Sequence, residues 1–418
     1  MLTMRQKKAV TKELKDRYQR SSKKGKTHIL NEFIQLTGYN RCYACQILNL
    51  KKEKVLGYLN MAGKRIKYVA DNRKIKRKKK KIYDEGVLVS LKEIWKIGDY
   101  ICSKRLAPFL SKIIPVLEKW GEIKLKPKVR EKLFKISAAT IDRLLTDTRK
   151  RFRIKGRSTT RPGSLLKKSI LIRTFADWDE KVPGFFEVDL VSHDGGAARG
   201  DFNQSLNFTD IATGWEEMIA VKNKAQIWVF AGIENIKKRL PFSILGIDSD
   251  NGAEFINAHL LRYCEQNQIT FTRSRPYRKN DSCFIEQKNY SVIRRAVGYA
   301  RYDTDYDLTI LNELYAYLRL YVNLFQPVRK LIQKERIGSK IIKRYDEAKT
   351  PYQRILESPN IKEEIKVKIR KEYAMLNPAE LKRKITKLQN KLLKLNALKQ
   401  EMSKEKEKDM DPFIYIST

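Results

Sequence analysis

Hydrophobic positions recur at helical spacing early in the chain. Between Lys26 and Leu36, residues Ile29, Leu30, Phe33 and Ile34 step by three and four, which sets them on one face of a helix. Thr37-Gly38-Tyr39-Asn40 then reads as a turn, with Gly38 free to take a left-handed conformation. Asn40 is placed to cap a second helix that carries Arg41, Tyr43, Ala44, Ile47 and Leu48. Helix, glycine turn, helix is the outline of a helix-turn-helix, and an ordinary helical hairpin shares it. A second pair is predicted within 83–150. There Leu106, Phe109, Leu110, Ile113 and Ile114 repeat helically, and Ser137 can cap a helix that exposes Thr140 and Arg143 at its start.

The period changes in the middle of the chain. In the segment from Phe185 to Val191, Phe186, Val188 and Leu190 share one face while Glu187 and Asp189 share the other, the alternation of a strand. Strands are predicted over 202–211, 215–221, 243–248 and 269–273, and helices over 225–239, 253–266 and 282–299. The order βββ-α-β-α-β-α implies a mixed five-stranded sheet covered by helices. Near the end, Leu381, Ile385, Leu388, Leu392, Leu395 and Met402 alternate steps of four and three, interrupted at Lys399. This pattern suits either a short coiled-coil seam between chains or one amphipathic helix packed on its own chain.

Seven segments follow: a helix-turn-helix domain over 1–72, a basic linker over 73–82, a second helical domain over 83–150, a linker over 151–175, an α/β core over 176–325, an extension over 326–375, and a coiled-coil-like helix with its tail over 376–418. Charge sharpens this division. The 418-residue chain carries 89 Lys and Arg against 48 Asp and Glu, a formal net charge of +41. The excess lies outside the centre: residues 1–80 hold 24 basic and 5 acidic residues, whereas residues 183–300 hold 14 of each. A charge of this sign and size points to a polyanionic partner, and the helix-turn-helix outlines make DNA the candidate. Arg41, Tyr43 and Arg143 on the two reading helices are the candidate contacts, together with Arg273, Arg275, Arg278 and Lys279 before the 282–299 helix and Asn289 on it.

Five scattered cysteines suit a reducing compartment, and no segment approaches the length of a membrane span. A cytoplasmic, nucleoid-associated protein is expected. Cys42 and Cys45 have a C-x₂-C spacing without a second pair, so they read as packing residues rather than zinc ligands. Ser192-His193-Asp194 are mere sequence neighbours and do not make a hydrolase triad.

Three acids carry the candidate chemistry. Asp189 lies in the first core strand, Asp250 follows the 243–248 strand, and Glu286 begins the 282–299 helix, with thirty-five residues between the last two. Carboxylates from strand ends and a helix start can converge at one sheet edge, and an oxygen-only set suits Mg²⁺. Glu187, Asp248 and Asp194 compete within the same motifs, and Glu254 reads as a first-turn helix acid. Val188-Asp189-Leu190, the stretch Asp248-Ser249-Asp250-Asn251-Gly252-Ala253-Glu254-Phe255, Ser274-Arg275-Pro276-Tyr277 and Glu286-Gln287-Lys288-Asn289 together resemble the integrase-type DDE transposases of bacterial insertion sequences. The resemblance covers about residues 183–300. It selects Asp189, Asp250 and Glu286 as catalytic metal ligands. It also implies an RNase H-like core, two Mg²⁺ or Mn²⁺ ions, strand cleavage and strand transfer on terminal-repeat and target DNA, and a homo-oligomer assembled on DNA. Tyr290 stands where retroviral integrases tend to have Lys. A metal-dependent nuclease without joining activity and a non-catalytic DNA-binding protein are the competing readings.

Overall fold

The computed structural model describes residues 2–49, 54–61, 64–70, 82–150, 171–173, 182–250, 252, 254–255, 257–274 and 283–409. The chain divides into two compact units, Met1–Lys81 and Ile82–Thr418.

In the first unit, α1 (Met4–Arg20), α2 (Lys23–Thr37) and α3 (Arg41–Asn49) close on Leu14, Tyr18, Ile29, Leu30, Phe33, Ala44 and Leu48. Thr3 and Gln6 form a reciprocal cap at the start of α1, satisfying backbone donors that the helix leaves open. α2 stops at Gly38, whose φ of +66° is the left-handed turn predicted for it. The Asn40 side chain then accepts from the Cys42 N–H at 2.8 Å, starting α3. An antiparallel pair follows, β1 (Lys54–Met61) with β2 (Lys64–Ala70), within the stretch 1–72 for which the sequence predicts only helices.

The second unit opens with α4 (Glu85–Ile97), α5 (Ser103–Lys119), α6 (Pro127–Lys135) and α7 (Ala138–Lys150). Its sheet is built from β3 (Leu171–Arg173), β4 (Phe185–Ser192), β5 (Gln204–Asp210), β6 (Glu216–Val221), β7 (Gly246–Ser249) and β8 (Thr270–Ser274). Between these strands lie α8 (Gln226–Arg239) and α9 (Ala258–Gln266). After β8, α10 (Cys283–Lys288) runs through a π-helical turn (Asn289–Arg294) into α11 (Arg295–Val297), followed by α12 (Asp305–Phe325). The ribbon β9 (Leu331–Ile337) and β10 (Lys340–Tyr345) precedes α13 (Pro351–Glu357), α14 (Glu363–Met375) and α15 (Pro378–Asp409).

The strand order is β3-β8-β7-β4-β5-β6. β4, β5 and β6 form an antiparallel meander, while β7 and β8 add to the other side of β4 in parallel. That five-strand order is the RNase H-like arrangement. The short strand β3 extends it to six, pairing parallel to β8 inside a segment the sequence reads as linker.

Phe186, Val188 and Leu190 turn into the core as the alternation predicts, with Phe186 packed on Phe208 and Phe242 at ring distances of 5.8 and 6.0 Å. One continuous hydrophobic cluster joins α4–α7 to the sheet and the C-terminal helices. Residues 83–150 are therefore not a separate body. The Tyr321 hydroxyl donates to the Ile97 carbonyl, Gln326 donates to the Gly98 carbonyl at 3.1 Å, and Lys382 pairs with Asp99 at 2.7 Å. The boundary expected over 151–175 falls outside the described residues apart from β3.

The edge strand β6 is covered by side chains. Asn323 of α12 bonds both the N–H and the carbonyl of Glu216 (2.8 and 2.7 Å), and Asn312 bonds both groups of Ala220 (2.9 and 3.1 Å). Arg239 donates to the Met218 carbonyl between them at 3.0 Å. The seam Leu381, Ile385, Leu388 and Leu392 is buried within its own chain, α15 packing along α12, so these residues answer to the single-helix reading rather than the intermolecular one. Among the described residues, no helix is long and apolar enough to cross a membrane.

Candidate active site

Asp189 sits on β4, and Asp250 directly follows β7. Because Val188 is in register with Ser249 on the parallel neighbour, the two acids emerge side by side. The Asp189 Oδ1 accepts from the Leu190 N–H at 2.8 Å, and its Oδ2 accepts from the Asn289 side-chain amide at 2.6 Å. Asn207, opposite Asp189 on β5, donates in turn to Asn289 Oδ1 at 2.9 Å. Asp250 Oδ1 accepts from the Gly252 N–H at 2.8 Å. A Cβ on Gly252 would stand 2.7 Å from the Glu254 carboxyl and 2.9 Å from Asp250 Oδ1, so this turn admits only glycine without displacing the acids.

Burial, then the neighbouring charge of Asp250, pushes the Asp189 carboxyl up to about 8. Burial likewise raises Asp250. Glu254 is raised by burial and by Asp250, and its own charge is felt at Asp189. The sequence reading places Glu254 in the first turn of a helix. Instead α9 begins at Ala258, because Asn257 caps it by accepting from the Leu260 N–H at 2.9 Å. Glu254 is thereby left in the loop beside the two aspartates.

Glu286 is exposed on α10 and is not gathered with this pair. Among the described residues, no group of three or more His, Cys, Asp or Glu side chains stands close enough to hold an ion. α10 is fixed instead through Glu187, whose Oε2 accepts from the Ile285 N–H at 2.6 Å. Glu187 is buried, and burial raises its carboxyl well above the ordinary range, with Asp248 and then Glu286 adding to the effect. Asp248 accepts from the Thr272 hydroxyl at 2.5 Å beneath the sheet end. Neither competitor is presented as Asp189 and Asp250 are.

The predicted DNA contacts divide. Arg41 and Tyr43 are exposed on α3, Arg41 donating to Asn31 at 2.6 Å and Tyr43 standing edge-on to Tyr39. Arg143 is exposed on α7 and donates to Thr140 at 3.0 Å. Arg273 is buried at the end of the predicted strand, within β8, which corrects its reading as a DNA contact, and Asn289 spends its amide on Asp189 and Asn207. Arg275, Arg278 and Lys279 lie outside the described residues.

Sequence reasoning missed the pair Lys288–Glu216, buried at 2.6 Å, which ties α10 to β6. Its signal was present: Lys288 falls one helical turn from the buried Ile285, and Glu216-Glu217 interrupt a core strand. Glu217 is also buried, held in a two-pronged pair by Arg319 at 2.6 Å.

These features define a chain with an RNase H-like sheet and an acidic pair at the junction of its central strands. No family model matches it. It is 37% identical over 330 residues to the uncharacterized protein y4rM of Sinorhizobium fredii, covering 79% of this chain and 89% of the relative, and it belongs to the same family as that protein. Among solved structures, the catalytic core domain of BIV integrase is 18% identical, covering 42% of this chain and 95% of its own, with a TM-score of 0.29. The HTLV-2 integrase catalytic core domain in complex with magnesium is 14% identical, covering 35% of this chain and 91% of its own, with a TM-score of 0.27. The RNase H-like character lies in the strand order and register of the sheet itself.

Proposed function

We propose that this chain is an integrase-type DDE transposase, cutting DNA strands at the ends of a mobile element and joining them to target DNA. The observation that carries the reading is the side-by-side delivery of Asp189 and Asp250 by parallel neighbours of an RNase H-like sheet. The formal charge of +41 supports a polyanionic substrate. Two carboxylates crowded into a half-buried site repel each other, and an all-oxygen set is suited to Mg²⁺ or Mn²⁺. Asp189 and Asp250 fit such an ion, and the resemblance to integrase-type transposases assigns Glu286 as the third ligand. When bound, the metal supplies charge neutralisation at the phosphate and a more acidic attacking hydroxyl.

The chain's own residues set the geometry. Asn289 orients Asp189 and is oriented by Asn207, while the Gly252 N–H holds Asp250. The buried Lys288–Glu216 pair holds α10 and so the position of Glu286. The exposed faces of α3 and α7 are assigned to DNA, with the terminal repeats as the preferred sequence and a homo-oligomer as the working form. One observation favours a second assignment of the third ligand: the Glu254 carboxyl and Asp250 Oδ1 converge on Gly252, and Glu254 adds its charge to that felt at Asp189.

The test is cleavage and joining of a labelled terminal-repeat duplex with Mg²⁺ or Mn²⁺. Asp189→Asn and Asp250→Asn are expected to abolish both steps while DNA binding persists. Glu286→Gln should do the same and Glu254→Gln should not; the reverse result moves the third ligand to Glu254. Asp248→Asn and Glu187→Gln should retain much more activity. Cleavage without joined products would make the chain a nuclease. Failure to bind Mn²⁺ would make it a non-catalytic DNA-binding protein.

A further inference from the structure

The ribbon β9–β10 takes no part in the site above, yet it is built to project. Its register runs from Leu331 opposite Tyr345 to Ile337 opposite Lys340, closed by Gly338 at a φ of +59°. Its root is fixed firmly. Asp346 accepts from the Lys330 N–H at 2.6 Å and pairs with Arg354 at 2.7 Å, Lys330 Nζ reaches the Ala212 carbonyl at 2.7 Å, and Val328 and Lys349 exchange backbone hydrogen bonds at 2.8 and 3.1 Å. Beyond the root the ribbon stays open to solvent, with Ile332 69% and Ile337 57% exposed and Ile341, Ile342, Lys343 and Arg344 exposed as well.

Its charge is one-sided: Lys334, Arg336, Lys340, Lys343 and Arg344 stand against Glu335 alone. Lys343 and Arg344, both exposed on β10, carry part of this excess. A two-stranded ribbon has the dimensions to enter the major groove of duplex DNA, where cations on both strands meet phosphates and apolar side chains meet thymine methyls. A second copy of the ribbon is a poor occupant, since it would bring the same positive charges together.

We propose that β9–β10 is a DNA-binding ribbon, fixed at its root and laid against the phosphates of duplex DNA. The choice of DNA rests on the functional reading above. The test is fluorescence anisotropy of the full chain with a random-sequence duplex across a range of salt. The parent is compared with the variant Lys334→Ala/Arg336→Ala/Lys343→Ala/Arg344→Ala, whose fold is checked by its thermal melt. Each phosphate that the variant no longer neutralises should lower the slope of log affinity against log salt by about 0.9. The variant should therefore lose slope and bind at least roughly tenfold more weakly at low salt, since several cations are removed at once. Ser339→Cys at the tip should cross-link to thiol-tethered duplex above the level given by the parent chain's own cysteines. If the parent binds DNA and the variant binds equally with an unchanged slope, the ribbon assignment falls alone. If the variant instead changes only the oligomer mass in light scattering, the ribbon is a protein interface and the proposal is overturned. If the parent binds no duplex, the functional reading fails with it.

Discussion

With Asp189 as the metal ligand proposed above, Asn289→Ala isolates how the site prepares it. The substitution removes the 2.6 Å donor to Asp189 Oδ2 and leaves the Asn207 amide without the oxygen it reaches at 2.9 Å. A hydrogen bond to a charged group contributes about 1.5–3 kcal/mol, and a neutral one about 0.5–1.5 kcal/mol. At ~1.4 kcal/mol per tenfold, losing the first corresponds to about 10- to 100-fold weaker metal binding. That matches the range expected when the partner of a metal ligand is removed. Asn207→Ala removes only the neutral hydrogen bond and acts through Asn289, so it should cost about three- to tenfold. Calorimetric titration with Mn²⁺ reads both variants directly, with a thermal melt to confirm that each remains folded. The cleavage rate at limiting Mn²⁺ should fall in the same order and recover at high Mn²⁺. An unchanged affinity in Asn289→Ala, or a larger loss in Asn207→Ala than in Asn289→Ala, would refute the relay.

Two stability predictions stand apart from the chemistry. Arg319→Met strips the two-pronged partner from the buried Glu217, leaving Arg239 at 3.6 Å as its remaining cation, and should destabilise the second unit by about 3 kcal/mol in chemical denaturation; adding Glu217→Met should recover much of that, and no recovery would mean the loss came from packing. Arg383 beside Glu122 holds its carboxyl down at about 2 against an ordinary 4.5, so this stabilisation is complete above about 4.5 and is lost as pH falls toward about 2. Arg383 is 61% exposed, so the effect should be under about 1 kcal/mol. Arg383→Ala should flatten that acid limb of a stability–pH curve, and an unchanged limb would sink the assignment.

What the sequence revealed was governed by local period, and what it hid depended on partners. The alternation around Asp189 identified both the strand and its polar face, because a half-buried strand needs such a pattern. Gly38 marked the α2–α3 turn for an equally local reason. The start of α9 was misjudged because Glu254-Phe255 resembles a first turn, whereas Asn257 makes the cap three residues later. β3 has only three residues, too few to show a period. The C-terminal heptad spacing leaves open which surface covers it, and α12 of the same chain takes that place. The buried pairs of Glu216 and Glu217 depend on Lys288 and Arg319, 72 and 102 residues away, and local pattern carries no such information.

The asparagines of α12 bear on how copies of this chain can meet. A sheet edge with open N–H and carbonyl groups is a template onto which another strand can add, whether from a partner or from a misfolded copy. At β6 that template is already occupied by amide side chains that mimic a neighbouring strand, with Arg239 at the position between them. Growth by strand addition is closed on this side of the sheet. A contact between copies on this side of the sheet is left to helical faces and loops, where side-chain complementarity rather than backbone pairing sets the geometry. Asn312→Ala with Asn323→Ala would reopen the edge, turning a self-limited sheet into one prone to fibrillar stacking.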